Sequence, residues 1–387
     1  MLPRHSLGLL AWFGLSLGGC ADNNGPTDEP GPGLVASQIS AGGWLTCAVE
    51  SSQRLICWGQ ENGYIAPFPL LGSGAYRMAS LELSGHNCAL TVGGEAHCWG
   101  SMSLSSTYFT YLPRPYLKAA PGLNLVSVTT GTSQACGTLA DGTAVCWGSY
   151  NGGVRGTGTP AAEFTDFTAP NIVFDAPNVV AGNLRFSQLA AGYGFTCGLD
   201  MSGRAYCWGV SLQLGAPDAP LASAEECLGI WHVDNLCALA PVPVSGEQRF
   251  VDLSASNHET CGLTQDGQVF CWAAEPPAQV ALPVPAASLS VGAWHSCILD
   301  QAGQAFCWGR NNAGQLGRLP LSDDPLGPAA VETPLRFSQI STGAEHTCGL
   351  ERDTGAVYCW GSNSRGELGT KPDSGSVAPV RVPEGRS

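Results

Sequence analysis

Between Cys297 and Cys307 the chain reads ILDQAGQAF, with apolar and polar residues alternating on both sides of a glycine. Alternation with period two marks a half-buried strand, and a glycine between two such runs predicts an antiparallel hairpin. The pattern recurs seven times, each copy bracketed by two cysteines. The pairs are Cys47 and Cys57, Cys88 and Cys98, Cys136 and Cys146, Cys197 and Cys207, Cys261 and Cys271, Cys297 and Cys307, and Cys348 and Cys359. Six pairs are ten residues apart and the last is eleven. Tryptophan follows the second cysteine every time, at Trp58, Trp99, Trp147, Trp208, Trp272, Trp308 and Trp360. A further strand precedes the hairpin, as in FSQISTGAEHT before Cys348, FSQLAAGYGFT before Cys197, FVDLSASNHET before Cys261 and SLSVGAWHS before Cys297. An internal repeat of this kind outranks any local reading of the chain.

Pairing the two cysteines across the hairpin and closing inward leaves Gln301-Ala302-Gly303 as a three-residue loop. Such a loop ends on a left-handed residue, which glycine supplies without steric cost. Gly94, Gly142, Gly203 and Gly267 stand at the same offset, and Gly355 shifts by one with the extra residue of its copy. The first copy has Gln53 there, so its turn stays open. Residues facing each other on neighbouring strands are about 4.5–5.5 Å apart at Cα, close enough for a disulfide. Zinc sites use cysteines two to four residues apart and thiol oxidoreductases use two intervening residues. Neither spacing occurs, so one staple per repeat is expected, with no metal and no cofactor. Each closes a loop of about ten residues, worth roughly 2.5–3 kcal/mol in the chain-entropy model.

The first residues carry an address. Arg4 and His5 precede an apolar stretch from Leu7 to Leu17, then Leu17-Gly18-Gly19-Cys20. A basic start, a short apolar run and small residues describe a secretory signal peptide, too short to span a bilayer comfortably. With Cys20 after the small pair, the segment resembles a bacterial lipoprotein signal. The resemblance implies removal of residues 1–19, lipidation of Cys20 and a flexible tether over 20–35. An ordinary signal peptide with a chance cysteine is the alternative. Ala21 after the cysteine favours the outer membrane, by analogy with the enterobacterial sorting rule. A cell-envelope location also suits disulfides.

Residues 36–387 are then the folded part. The strand G-x-x-H-T-x-x-L runs from Gly343 to Leu350, and two copies exit through Asn311-Asn312-Ala313-Gly314-Gln315-Leu316-Gly317 and Asn363-Ser364-Arg365-Gly366-Glu367-Leu368-Gly369. With the turn glycine and the tryptophan, this resembles the regulator-of-chromosome-condensation repeat family, from about residue 36 to 383. The exit loop is degenerate in repeats one to five. The resemblance implies an all-β fold, a seven-bladed β-propeller with one cross-strand disulfide per blade, closed by its first and last repeats. The repeat tryptophans, facing away from their cysteines, are expected to pack between blades. His86, His295 and His346, two residues before a cysteine, and His258, three before, take the family's structural hydrogen-bonding place. Four blades cannot bring them to one metal.

Binding residues collect in loops on a rigid scaffold. The longest connection, 210–249, holds an additional pair, Cys227 and Cys237, around LGIWHVDNL, without the turn glycine or the following tryptophan. It is expected to be an insertion with its own Cys227–Cys237 staple, presenting Trp231 and His232. A second loop carries Tyr108, Phe109, Tyr111 and Arg114, and Trp44 and Trp294 lie in turns before their hairpins. Aromatics and arginine dominate binding hot spots. The bland alternative is that these aromatics cover the loops' own undersides.

Of 387 residues only 12% are charged, while Gly (51) and Pro (27) abound, which suits turns and strands rather than helices. A net charge of −14, with Lys118 and Lys371 the only lysines, repels phosphate backbones and argues against nucleic acid. There is no nucleophile elbow, phosphate loop or metal-binding histidine pair, and no sialidase-type Ser-x-Asp-x-Gly-x-x-Trp box. The expectation is therefore a monomeric, non-enzymatic scaffold, held to a membrane by its lipid and binding a protein or glycan. One alternative is an extracellular polysaccharide hydrolase or lyase using Glu225, Glu226 and Asp234. Another is a protein inhibitor of an exported enzyme, as some exported relatives inhibit β-lactamases.

Overall fold

The computed structural model describes residues 33–59, 68–69, 75–81, 86–100, 117–118, 122–132, 134–148, 153–159, 177–227 and 236–384. They form seven antiparallel four-stranded sheets, each wound in chain order. These are the blades of a seven-bladed, all-β propeller. Blade 1 consists of Ala36–Ala41, Leu45–Glu50, Leu55–Gly59 and Phe68–Pro69. Blade 6 consists of Ser288–Val291, His295–Leu299, Ala305–Gly309 and Leu326–Ala330. Blade 7 consists of Phe337–Thr342, His346–Glu351, Val357–Gly361 and Ser376–Arg381. First strands of successive blades touch around the ring and lie innermost. Second strands such as Leu45–Glu50 are buried at every position, since both sheet faces meet a neighbouring blade.

Each blade holds one disulfide between its second and third strands. In blades 1 to 4 these join Cys47 to Cys57, Cys88 to Cys98, Cys136 to Cys146 and Cys197 to Cys207. In blades 5 to 7 they join Cys261 to Cys271, Cys297 to Cys307 and Cys348 to Cys359. Every one of these cysteines is the register partner of its mate. The pairing is the one expected from spacing, but the distance is not. The Cα atoms are 4.0–4.1 Å apart, nearer than the 4.5–5.5 Å anticipated for facing residues in general. The cause is register. Glu50 N donates to Arg54 O and Asp300 N to Gln304 O. Hydrogen-bonded pairs therefore fall at alternate positions, and Cys47–Cys57, Cys297–Cys307 and their counterparts take the narrow pairs between them. The turn follows the predicted form, with Gly303 at φ +80° and its N–H on Asp300 O at 2.9 Å. The turn left open in blade 1 is the same, because Gln53 itself adopts φ +67°.

The turn also joins blades. In all seven, the carbonyl of this left-handed residue accepts the N–H that opens the next blade, at 2.7–3.0 Å, from Gln53 to Tyr76 round to Gly355 and Ala36. A Cβ on Gly303 would lie 2.5 Å from Phe337 O, so glycine serves close approach as well as φ.

Seven buried clusters fill the seven gaps between blades. Cys47 and Cys57 of blade 1 pack with Tyr76 and Ala79 of blade 2. Cys88 and Cys98 of blade 2 pack with Leu125, Val128 and Trp147 of blade 3. Cys136 and Cys146 of blade 3 pack with Phe186, Leu189 and Trp208 of blade 4, and Cys197 and Cys207 of blade 4 with Phe250, Leu253 and Trp272 of blade 5. At the seam, Cys348 and Cys359 of blade 7 pack with Ile39 and Trp58 of blade 1. Each disulfide thus faces the following blade and each tryptophan the preceding one, where Trp58, Trp208 and Trp360 donate Nε1–H to Glu367 O, Val154 O and Gln315 O. Inner edges are closed by side chains. Ser40, Ser80, Thr129, Ser254, Ser290 and Ser341 each accept a backbone N–H from the next blade's first strand.

Blades 7 and 1 meet without exchanging a strand. Leu34, 1% exposed, donates its N–H to Val382 O and accepts from Val357 N. Residues 33–35, within the span 20–35 expected as a tether, are therefore held against blade 7. Residues 1–32, with Cys20 and the signal segment, lie outside the described residues.

Connections read from the sequence as loops each contain a fourth strand. It is two residues long in blades 1, 2, 3 and 5, and seven, five and six in blades 4, 6 and 7. The long ones carry Pro241, Pro243, Pro328 and Pro379, which blunt an exposed edge against strand addition. Within the expected insertion, Cys237–Pro243 is the fourth strand of blade 4, with Cys237 opposite Val210. The Cys227–Cys237 disulfide, Cα atoms 5.9 Å apart, joins that strand to the end of a short helix, Ala224–Cys227.

Candidate interaction surface

Strands alternate in direction, so the turn after a blade's first strand and the exit after its third lie at one end of the ring. The disulfide hairpins close the other. The inner turns carry the exposed aromatics. Trp44 and Trp294 are each 41% exposed and Tyr193 39%. Trp44, His258, Trp294 and Glu345 occupy one repeat position, three residues before the first cysteine, in blades 1, 5, 6 and 7. The turns of blades 6, 7 and 1 are bonded in sequence around the ring, Ala293 N to Gly343 O and Ala344 N to Gly42 O, both 3.2 Å. Spacing between these side chains is thereby set by backbone.

The exit loops supply what the sequence reading passed over. Asn311, fully buried, donates Nδ2–H to Arg318 O and Pro320 O and accepts Leu316 N–H. Asn363 holds the next loop in the same way, through Lys371 O and Leu368 N. On loops fixed like this, the Arg310 guanidinium lies 4.2 Å over the Trp294 ring and that of Arg365 3.7 Å over Trp44. Asn312 Nδ2 reaches Glu345 Oε1 at 3.4 Å. The motif's glycines and leucines stood out in the sequence, whereas the arginines had no recurring position to mark them.

Beneath the inner turns the histidines divide. His295 and His346, buried, meet Thr347 and Thr46 of the following blade, Nε2 to Oγ1, at 2.7 Å. Thr347 commits its hydroxyl proton to Gln315 O, so His295 donates from Nε2. Desolvation pushes the pKa of His295 down to about 3, helped by neighbouring His346, and that of His346 to about 4. Both are structural groups held neutral. His258, expected to share that place, does not: shifted one residue, it sits exposed in its turn, its ring 5.1 Å from that of Trp294. Glu259 fills the position instead, its carboxyl pushed up by burial and accepting a hydrogen bond from Ser296. Glu259 also approaches Cys261 and Cys271, but those sulfurs are bonded to each other and supply no thiolate. The side chain of His86 is outside the described residues.

Glu226, offered as a catalytic acid or base, caps the short helix by accepting from Ser223 N and Oγ at 2.9 Å. Those bonds lower its pKa, which favours a cap over a proton donor. Trp231, His232, Asp234, Tyr108, Phe109, Tyr111, Arg114 and the Glu225 side chain fall outside the described residues.

The comparisons with known proteins agree with this architecture. A model of the regulator of chromosome condensation (RCC1) repeat matches residues 302–350 and 354–387, and a second RCC1 repeat model matches 186–211, 286–315 and 337–367. The chain therefore carries RCC1 repeats in blades 4, 6 and 7. It is 26% identical over 322 residues to the ultraviolet-B receptor UVR8 of Arabidopsis thaliana, covering 80% of this chain and 59% of that protein. It is 25% identical over 310 residues to the human probable E3 ubiquitin-protein ligase HERC6, covering 74% of this chain and 27% of the ligase. The chain thus spans less than two thirds of the length of these relatives. The crystal structure of Prp20p from Saccharomyces cerevisiae, described with its binding to Gsp1p and histones, superposes with a TM-score of 0.67 at 17% identity, covering 91% and 88% of the two chains.

Proposed function

We propose that the chain is a lipid-anchored cell-envelope propeller that binds a protein partner through the end bearing its inner turns and exit loops. One observation carries the reading: two exposed tryptophans, each capped by an arginine, stand on bonded turns at that end. Tryptophan and arginine are the residues most enriched in interface hot spots, and a rigid platform lowers the ordering cost of binding. Protein binding by RCC1-like relatives favours the same use of the fold. The Leu17-Gly18-Gly19-Cys20 signal supports an anchor at Cys20, on the outer membrane, where two or three acyl chains hold stably.

Two measurements test this. Fatty-acid labelling of the wild type that Cys20→Ser abolishes would establish the anchor, and an unlabelled wild type would refute it. Photo-cross-linkers placed at positions 44 and 294 in native envelopes should trap a protein. Trapping only at hairpin turns such as Gln301 would move the surface to the opposite end. Trapping a glycan would change the class of partner.

A further inference from the structure

Blades 5, 6, 7 and 1 present His258, Trp294, Glu345 and Trp44 side by side, with Arg310 and Arg365 lying on the two tryptophans. Neither guanidinium makes a hydrogen bond or salt bridge with another side chain among the described residues, and the one carboxylate that Arg365 acts on through space is that of buried Glu367. On a chain with net charge −14 that is unusual, since carboxylates are in surplus. A guanidinium centred over an indole ring bonds to the ring through its charge and not its N–H donors, and a pair of those donors matches a carboxylate in bidentate fashion. Stacking also fixes the fork beforehand, so little rotamer entropy is lost when it is engaged.

From this we infer that the partner is an acidic polypeptide segment, with one carboxylate gripped by each Arg–Trp pair, at Arg310/Trp294 and Arg365/Trp44. The inference deepens the protein-binding reading and rests on it. Glu345 stands between the two pairs, its Oε1 already near Asn312. It repels a carboxylate placed opposite it and accepts a peptide N–H there, so the segment presents its backbone to Glu345 between the two gripped carboxylates. A neutral sugar is the poorer occupant. Stacking of a pyranose needs an open indole face, and Trp294 already has a guanidinium at 4.2 Å and the His258 ring at 5.1 Å, while Trp44 has a guanidinium at 3.7 Å.

The test uses the full chain with its disulfides oxidised and two labelled probes, poly-L-glutamate and poly-D-galacturonate, read by fluorescence anisotropy. Poly-L-glutamate should bind. Arg310→Lys/Arg365→Lys keeps the charge but loses fork and stack, and should bind it about tenfold more weakly; Arg310→Gln/Arg365→Gln should bind about a hundredfold more weakly. Circular dichroism of each variant confirms the fold, since both side chains are on loops. No binding of poly-L-glutamate, or equal binding by the lysine variant, overturns the inference. Arginine-dependent binding of poly-D-galacturonate alone overturns it in favour of an anionic glycan. Cross-linking from position 44 separates the two levels. If the glutamine variant traps the same envelope protein as the wild type, protein binding stands and the acidic grip is wrong. If the wild type traps none, both fall.

Discussion

His346 Nε2 of the last blade and Thr46 Oγ1 of the first stand 2.7 Å apart, buried, at the seam where the ring closes. One blade earlier His295 makes the same contact with Thr347. Desolvation lowers their pKa values to about 4 and about 3, whereas an unfolded histidine titrates near 6.5. Below pH 6.5 the unfolded chain therefore binds protons that the folded chain refuses. Stability from this pair is complete above about pH 6.5 and is lost as pH falls toward 4 and 3, on the order of a few kcal/mol. Asp252, Glu259 and Glu367, whose carboxyls burial pushes up, act in the opposite sense, costing stability as pH rises through their raised values. Blade 3 places Gln134 at the histidine position, with Nε2 on Phe195 O at 2.8 Å. His295→Gln/His346→Gln should accordingly fold at pH 7.5 and lose less stability between pH 6.5 and 4 than the wild type. Urea midpoints across that range read the difference, and parallel curves would refute the assignment.

Gln53 is the one blade turn without glycine, and at φ +67° it holds a conformation that costs a side-chain-bearing residue about 1 kcal/mol. Gln53→Gly relieves that strain at some cost in unfolded-chain entropy, so a gain of about 0.5 kcal/mol is expected. Gly303→Ala works against both φ +80° and the approach of Phe337 O. It should lose more than about 1 kcal/mol. Chemical denaturation of the two variants gives opposite signs if the turn works as described.

Much of this was legible because the repeat fixes register. Cysteine spacing, the turn glycine and the following tryptophan each specify the same hairpin, so an error in one would have shown in the others. The narrow Cα separation of pairs such as Cys47–Cys57 and Cys197–Cys207 was not legible, because spacing alone does not say which ladder pairs are hydrogen-bonded. Nor were the fourth strands, since two residues such as Leu117–Lys118 carry no period. His258 shows the limit of position-by-position transfer: a shift of one residue moved it from a buried strand start to an exposed turn. The Arg365–Trp44 pair needed three-dimensional closure, because the two residues lie at opposite ends of the chain and meet only across the seam.

Each blade disulfide faces the next blade within a buried cluster, so its loss should be felt at an interface as well as in a hairpin. Replacing Cys297 and Cys307 by alanine removes a loop constraint worth about 2.5–3 kcal/mol. The cavity beside Phe337 and Trp360 in the same cluster adds to that. Reducing agent at neutral pH should leave the pair intact until the chain unfolds, because both sulfurs are shielded. Alkylation of reduced thiols followed by mass spectrometry would detect early release, which would contradict the packing.

At the seam Gly33 and Val35 bridge to Pro383 and Ala356 of blade 7, and side chains add to that backbone pairing. Gln339 accepts the N–H of Ile39 and donates to its carbonyl, both at 3.0 Å. Gln38 and Gln188 make the equivalent clamp at ordinary blade junctions, on Ala79 and Leu253. Removing the amide leaves two backbone groups of a buried strand unsatisfied, about 2 kcal/mol in total. Gln188→Leu and Gln339→Leu should therefore lose similar global stability. They should differ in local opening, because blade 4 is tied to blade 5 by continuous chain whereas blade 1 is tied to blade 7 only by non-covalent bonds, those of residues 33–36 among them. Hydrogen exchange in Ala36–Ala41 should accelerate in Gln339→Leu well beyond the change expected from global stability, while Phe250–Ala255 in Gln188→Leu should follow the global change. Equal acceleration at both junctions would mean that the seam is no weaker than the others, and that Leu34 and the buried His346–Thr46 contact suffice to close it.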